Sequence, residues 1–103
     1  MTERQLEAAV ADLARSTGAL RYHTHRSDRS EPGWPDDAIV RGDLLCLWEL
    51  KQEKGRISEA QARWLGALQM VRRIDVRVIR PRDLQTAARI LMGSRETTRL
   101  EAS

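Results

Sequence analysis

Residues 33–51, GWPDDAIVRGDLLCLWELK, constrain the fold most, because charged residues end an otherwise apolar strand there. The stretch predicts a β-hairpin with strands over about 36–41 and 44–51 and a Gly-Asp turn between them. Side chains alternate across a strand, and both faces of the second strand are apolar up to Glu49. A strand of this kind is typical of the centre of a sheet that is covered by helices.

Glu49 is expected at the edge of a desolvated region, where an ionised carboxylate costs several kcal/mol even after relaxation. The Lys51 ammonium offsets only part of that cost. Asp36 is expected to lie across the hairpin from Glu49, and two close carboxylates repel unless one is protonated or a divalent cation lies between them. Oxygen ligands suit hard cations, so we expect Mg²⁺ or Mn²⁺ at this acidic pair, Asp36 and Glu49, with Lys51 directed at the same place.

The composition indicates one small domain with a basic surface. The chain has 103 residues and a formal net charge of +3, and its basic residues occur in groups. Such grouping suits a polyanionic partner, and a solvated surface without a partner is the plain alternative. Cys46 lies in the apolar strand and indicates a reducing compartment. No apolar run approaches the roughly 18 residues of a membrane span, and no secretory signal is evident, so we expect a soluble, cytoplasmic protein without a membrane partner.

The other elements follow from capping boxes, hydrophobic periodicity and strand alternation. They are a helix over 3–16, a short strand over 19–23, a helix from Ser58 to about Arg72 with Val71 in its buried stripe, a strand over 74–79 and a helix over 83–92. A helix between two parallel strands makes a right-handed βαβ crossover. We therefore predict an α/β fold, a mixed sheet flanked by helices, as a single domain over 1–93 with a polar tail over 94–103.

Several polar residues have two readings at this point. Glu3 and Glu7 could lean towards the acidic pair as further ligands, or they could simply favour the positive end of the first helix dipole. Gln61 could cap its own helix or donate a hydrogen bond into the site. Two basic loops are candidates for contact with nucleic-acid phosphates. Their candidate residues are Arg26, Arg29 and Ser30 before the hairpin, and Lys54 and Arg56 after it.

The runs PGWPDDAIV, WELK, GRISEAQARWLGAL and DVRVIRP resemble the VRR-NUC family, a compact branch of the PD-(D/E)XK nuclease superfamily. The resemblance is to its small stand-alone members from bacteriophages and bacteria, and it spans nearly the whole chain. It implies a restriction-endonuclease-like core. The residue roles it implies are Asp36 and Glu49 as metal ligands, Lys51 as catalytic lysine, Gln61 as accessory glutamine, and Glu3, with Glu7 as fallback, as the acidic residue of the first helix.

Two positions depart from the family pattern. Asp37 stands where an apolar residue usually follows the PD, and Arg72-Arg73 stands where a glycine commonly ends the second helix. We assign the ligand role to Asp36, because a proline precedes it and Asp37 should point to the opposite face of the sheet.

The resemblance implies a Mg²⁺- or Mn²⁺-dependent DNA endonuclease that acts as a homodimer on branched DNA such as Holliday junctions. The main-chain carbonyl of Leu50 is a further expected ligand. The alternative is a catalytically inactive DNA-binding accessory module. The intact set of Asp36, Glu49 and Lys51 argues against that alternative, since carboxylates without a metal repel phosphate.

Overall fold

The computed structural model describes residues 1–24 and 31–94, and this part of the chain folds around one four-stranded sheet. The elements are α1 (Glu3–Ser16), β1 (Leu20–His23), β2 (Asp37–Arg41), β3 (Leu44–Leu50), α2 (Glu59–Gln69), β4 (Asp75–Ile79), a 3₁₀ turn (Pro81–Asp83), α3 (Leu84–Arg89) and a π-helical turn (Ile90–Ser94). No helix among these residues is both long and apolar enough to cross a bilayer.

The sheet is mixed, with strand order β1-β2-β3-β4. The pairs β1/β2 and β2/β3 are antiparallel, and β3/β4 is parallel across the crossover helix α2. The prediction of an α/β domain with a mixed sheet and flanking helices is confirmed.

Helix α1 has the predicted bounds, and a capping box fixes where it begins. The Thr2 hydroxyl accepts the Gln5 main-chain N–H at 3.1 Å, and the Gln5 side-chain oxygen accepts the Thr2 N–H at 2.8 Å. Leu6, Val10 and Ala14 are buried at four-residue spacing and form the face that packs on the sheet.

The strand register defines two faces of the sheet. Asp37 pairs with Trp48 and Ile39 with Cys46, and directly paired residues project to the same side. This side, the α1 face, carries the core against α1 and α3. The core is Leu6, Val10, Ala14, Ile39, Cys46, Trp48, Leu50, Ile79, Ala87 and Leu91. Glu49 alternates to the opposite side, the α2 face, where Gln61 of α2 contacts it.

Two predicted helix ends are wrong. Helix α2 ends at Gln69 rather than near Arg72, and Val71 is 52 % exposed instead of buried. Arg73, in the turn after the helix, takes a left-handed conformation with φ +70°, which glycine adopts more readily. The last helix, predicted over 83–92, is instead three short segments: a 3₁₀ turn that Pro81 opens, α3 up to Arg89 and a π-helical turn from Ile90.

Candidate active site

The acidic pair lies on the α2 face where the hairpin ends. Glu49 is in β3 and only 2 % exposed, and Asp36 immediately precedes β2, just after the buried Pro35. The Asp36 Oδ2 accepts the main-chain N–H of Leu50 at 2.9 Å. This bond fixes the Asp36 carboxylate against the end of β3, one residue from Glu49. The strand bounds differ from the prediction here, since β2 begins at Asp37 and β3 ends at Leu50.

The electrostatic state of Glu49 follows from its burial. Its pKa is raised to about 8, first by desolvation and then by the nearby Asp36 carboxylate, while the Lys51 ammonium acts in the opposite direction. The Glu49 Oε1 atom is buried and has no hydrogen-bond partner among the described residues. A buried acceptor of this kind is costly unless a donor or a cation reaches it. At neutral pH a proton on Glu49 relieves the repulsion between the two carboxylates, and a bound cation would displace that proton.

Gln61 performs both of the roles that the sequence left open. Its Oε1 accepts the Ser58 N–H at 2.9 Å and its main-chain N–H donates to the Ser58 hydroxyl at 3.1 Å, which completes a capping box. Its Nε2 donates to the Glu49 Oε2 at 2.8 Å. Because the cap takes the amide oxygen, the amide nitrogen is left to face Glu49.

Gly33 brings the loop before Asp36 against the first turn of α2. Its φ is +94°, and a Cβ at this position would lie 2.4 Å from both the carbonyl carbon and the oxygen of Ala60. Only glycine permits this approach. The sequence indicated a turn here, but it gave no sign that the turn touches the helix that carries Gln61.

Lys51 follows β3 directly. Its main-chain N–H donates to the Ile79 carbonyl of β4 at 3.0 Å, and its ammonium lies near enough to Glu49 to lower the pKa of that carboxyl group. The side chain passes Gly55, since a Cβ on Gly55 would lie 3.4 Å from the Lys51 Cδ. Lys54 and Arg56 are exposed in the same loop. Arg26, Arg29 and Ser30 lie outside the described residues.

A second charged cluster lies on the α1 face. Arg21 donates to Asp37 at 3.0 Å and to Glu7 at 3.1 Å. The His23 Nδ1 lies 2.7 Å from Asp37, and its Nε2 lies 3.3 Å from Glu7. We call these four residues the Asp37 cluster. Asp37 is only 1 % exposed, so its carboxylate is tied to partners that neutralise it.

This cluster accounts for two of the sequence candidates. Asp37 points away from the acidic pair, as expected, and Glu7 is bound to Arg21 and His23. Glu3 is exposed in the first turn of α1, and neither glutamate hydrogen-bonds Asp36 or Glu49 in the described part of the chain. The cluster was missed at the sequence level, although Arg21 and His23 alternate onto one face of β1.

The donor set at the acidic pair is small. Within residues 1–24 and 31–94 no group of three or more His, Cys, Asp or Glu side chains is placed to hold a metal ion. The unpartnered Glu49 oxygen beside Asp36 nonetheless fits a hard divalent cation. Mg²⁺ typically takes only one or two carboxylates and completes its shell with water and substrate phosphate. Leu50 directly follows Glu49 in the chain, and its main-chain N–H bonds Asp36.

Comparison of the chain with protein-family models, with curated proteins and with solved structures found no match in any of the three.

Proposed function

We propose that the chain is a metal-dependent DNA endonuclease with a restriction-endonuclease-like core, of the kind its resemblance to the VRR-NUC family implies. The observation that carries the proposal is the buried Glu49, whose Oε1 has no hydrogen-bond partner in the described structure, beside a second carboxylate and a lysine. A site built only for stability would pair that oxygen, as the Asp37 cluster does for its own carboxylate.

Asp36 and Glu49 would hold Mg²⁺ or Mn²⁺, together with the Leu50 carbonyl. The bound cation would supply an acidified water and offset the charge of the scissile phosphate. Leu50 and Gln61 keep the two carboxylates in place through their N–H groups. Lys51 would orient the attacking water and stabilise the charge that develops on the phosphate in the transition state. The resemblance implies products with a 5′-phosphate and a 3′-hydroxyl.

Branched DNA, such as a four-way junction, is the substrate we propose. A single small domain holds one site, so two symmetric cuts require a second copy, and we propose a homodimer. The exposed Lys54 and Arg56 lie in the loop that follows Lys51, where phosphates next to the cleaved bond would pass. Arg26, Arg29 and Ser30 are proposed to contact phosphates as well.

The test is cleavage of supercoiled, linear and four-way-junction DNA in the presence of Mg²⁺, Mn²⁺ or a chelator. We expect cleavage of the junction with either metal and none with the chelator. Lys51→Ala should abolish cleavage and leave junction binding, measured in Ca²⁺, near the parent value. Lys54→Ala is the matched variant, and it should weaken binding rather than the chemical step.

Two outcomes contradict the proposal. A Lys51→Ala protein that cuts close to the parent rate removes the assigned role of that lysine. A parent protein that binds junctions but cuts none of the three DNAs with either metal is instead a DNA-binding accessory module.

A further inference from the structure

Arg80, directly after β4, holds the loop that follows Lys51. Its Nη1 lies within hydrogen-bond distance of the main-chain carbonyl oxygens of Gln52 at 2.6 Å, Glu53 at 3.0 Å and Gly55 at 2.9 Å. Since Nη1 carries two N–H groups, at least one of them is shared between two carbonyls. Guanidinium bonds to carbonyls are charge-assisted and therefore stronger than neutral ones. One side chain thus gathers three carbonyls of a four-residue loop from 25 to 28 positions away in the sequence.

The main chain of Arg80 is itself held in place. The Arg80 main-chain N–H donates to the Asp83 Oδ2 at 2.9 Å. In the reverse direction, the Glu53 side chain accepts the Arg82 main-chain N–H at 2.7 Å. The loop and the 3₁₀ turn therefore hold each other from both sides, and the guanidinium has little freedom to leave.

The same loop sets the course of the Lys51 side chain. Lys51 bonds the Ile79 carbonyl through its main-chain N–H, one residue before Arg80. Its Cδ lies against Gly55, whose carbonyl is one of those that Arg80 holds. A shift of the loop would therefore change the surface along which the Lys51 side chain reaches the acidic pair.

We propose that Arg80 is a positioning residue, which holds loop 52–55 in the form that directs Lys51 at Asp36 and Glu49. This inference rests on the proposed function for its catalytic meaning. Arginine suits the role because its head reaches far enough to meet several carbonyls. Lysine carries three N–H donors on a shorter stem, so it should do the same work only in part.

The first test measures the loop without any reaction. Arg80→Gln, Arg80→Lys and the control Arg89→Gln, which removes an equal charge from an exposed position of α3, are compared with the parent. The reporter is amide exchange at Gly55, whose N–H donates to the Gln52 carbonyl at 3.0 Å. We expect exchange about tenfold faster or more in Arg80→Gln and intermediate in Arg80→Lys. Exchange at Gly55 should be unchanged in Arg89→Gln. In every variant the Cys46 amide of β3 should stay protected from exchange, which would confirm that the sheet is intact.

The second test measures Lys51 itself. The chain has two lysines, and Lys54 lies in the loop that Arg80 holds, so the acylation of Lys51 is referred to that of the N-terminal amine within each sample. The ratio of Lys51 labelling to N-terminal labelling should rise about threefold or more in Arg80→Gln, because the Lys51 amine leaves its place beside the carboxylates. It should stay at the parent value in the control.

The third test separates binding from chemistry. If Lys51 acts in the transition state, Arg80→Gln should lower kcat about tenfold with KM changed by less than about threefold, and Arg80→Lys should recover part of kcat. Unchanged Gly55 exchange or an unchanged labelling ratio overturns the inference. So does a loosened loop with full kcat. A parent protein that cuts no DNA contradicts only the proposed function. The exchange and labelling results then decide whether Arg80 places Lys51.

Discussion

At the scale of single residues, the two adjacent aspartates are held in opposite ways. Asp36 accepts one main-chain N–H and faces a second carboxylate, whereas Asp37 is surrounded by an arginine and a histidine. The backbone alternates them onto the two faces of the sheet. Asp37 therefore has basic side chains as hydrogen-bond partners and Asp36 has a main-chain N–H. Replacement of Asp37 should affect stability, and replacement of Asp36 should affect metal binding.

We predict that Asp37→Asn lowers the free energy of unfolding by about 2–4 kcal/mol, because Arg21 loses its buried partner. Asp36→Asn should leave stability within about 1 kcal/mol of the parent, since the amide oxygen can still accept the Leu50 N–H. Urea unfolding measures both. In Mn²⁺ the melting temperature of the parent and of Asp37→Asn should rise, and that of Asp36→Asn should not. The opposite pattern would assign the metal to Asp37.

The raised pKa of Glu49 makes the stability of the metal-free protein depend on pH. In the folded protein this pKa is about 8, above the roughly 4.3 of an unfolded chain, so between these values the folded state holds the proton more tightly. The stabilisation that comes from the proton on Glu49 is fully present below the unfolded pKa and is lost as pH rises through about 8. We predict that unfolding free energy in chelator falls over this interval.

The control for this prediction is Glu49→Gln, which removes the titrating group and keeps the shape of the side chain. As pH rises, the free energy of unfolding of the parent should fall relative to that of Glu49→Gln. The difference between the two should narrow or change sign, so that the variant gains on the parent at alkaline pH. Thermal melts across the interval measure it. Parallel curves for the two proteins would show that Glu49 ionises as it does in water.

At the scale of elements, the loop before β2 and helix α2 form one unit through Gly33. We predict that Gly33→Ala destabilises the protein by about 2–4 kcal/mol, because its Cβ would meet the Ala60 backbone and the residue would keep a left-handed φ. Gly18→Ala is the matched control, since its φ is +78° and nothing lies within 4 Å of its Cβ. It should cost only the conformational strain of about 1 kcal/mol. Equal losses on urea unfolding would show that the close approach to α2 is absent.

The element boundaries that could be predicted are those with a local chemical cause. Both capping boxes and the Gly-Asp turn of the hairpin are encoded within four consecutive residues, and the structure has all of them. The end of α2 could not be placed, because no glycine or proline follows Gln69 to mark it.

At the scale of the whole molecule, Cys46 reports on global opening. It is fully buried in the central strand, and burial raises its pKa to about 12. We predict that a thiol reagent at mildly alkaline pH labels it only at the rate of unfolding, since both access and the thiolate are suppressed in the native state. Labelling should accelerate with urea in parallel with loss of the folded signal. Rapid labelling without denaturant would contradict this packing.

The sequence contains the acidic pair but not the network around it. Asp36 and Glu49 could be placed together because one hairpin carries both and the alternation of side chains puts both on one face of it. The Asp37 cluster depends on the β1/β2 register, and the Arg80 bonds depend on β4 lying beside β3. Both join residues that are far apart in the chain, and periodicity does not specify such pairing.

The long span between Arg80 and the loop it holds also bears on synthesis. A chain leaves the ribosome from its N-terminus, and the hairpin with Asp36, Glu49 and Lys51 emerges well before Arg80. Until β4 has emerged and joined the sheet, no guanidinium gathers the carbonyls of loop 52–55. A nascent or truncated chain that stops short of Arg80 would thus carry Asp36, Glu49 and Lys51 without the contacts that hold the loop beside them.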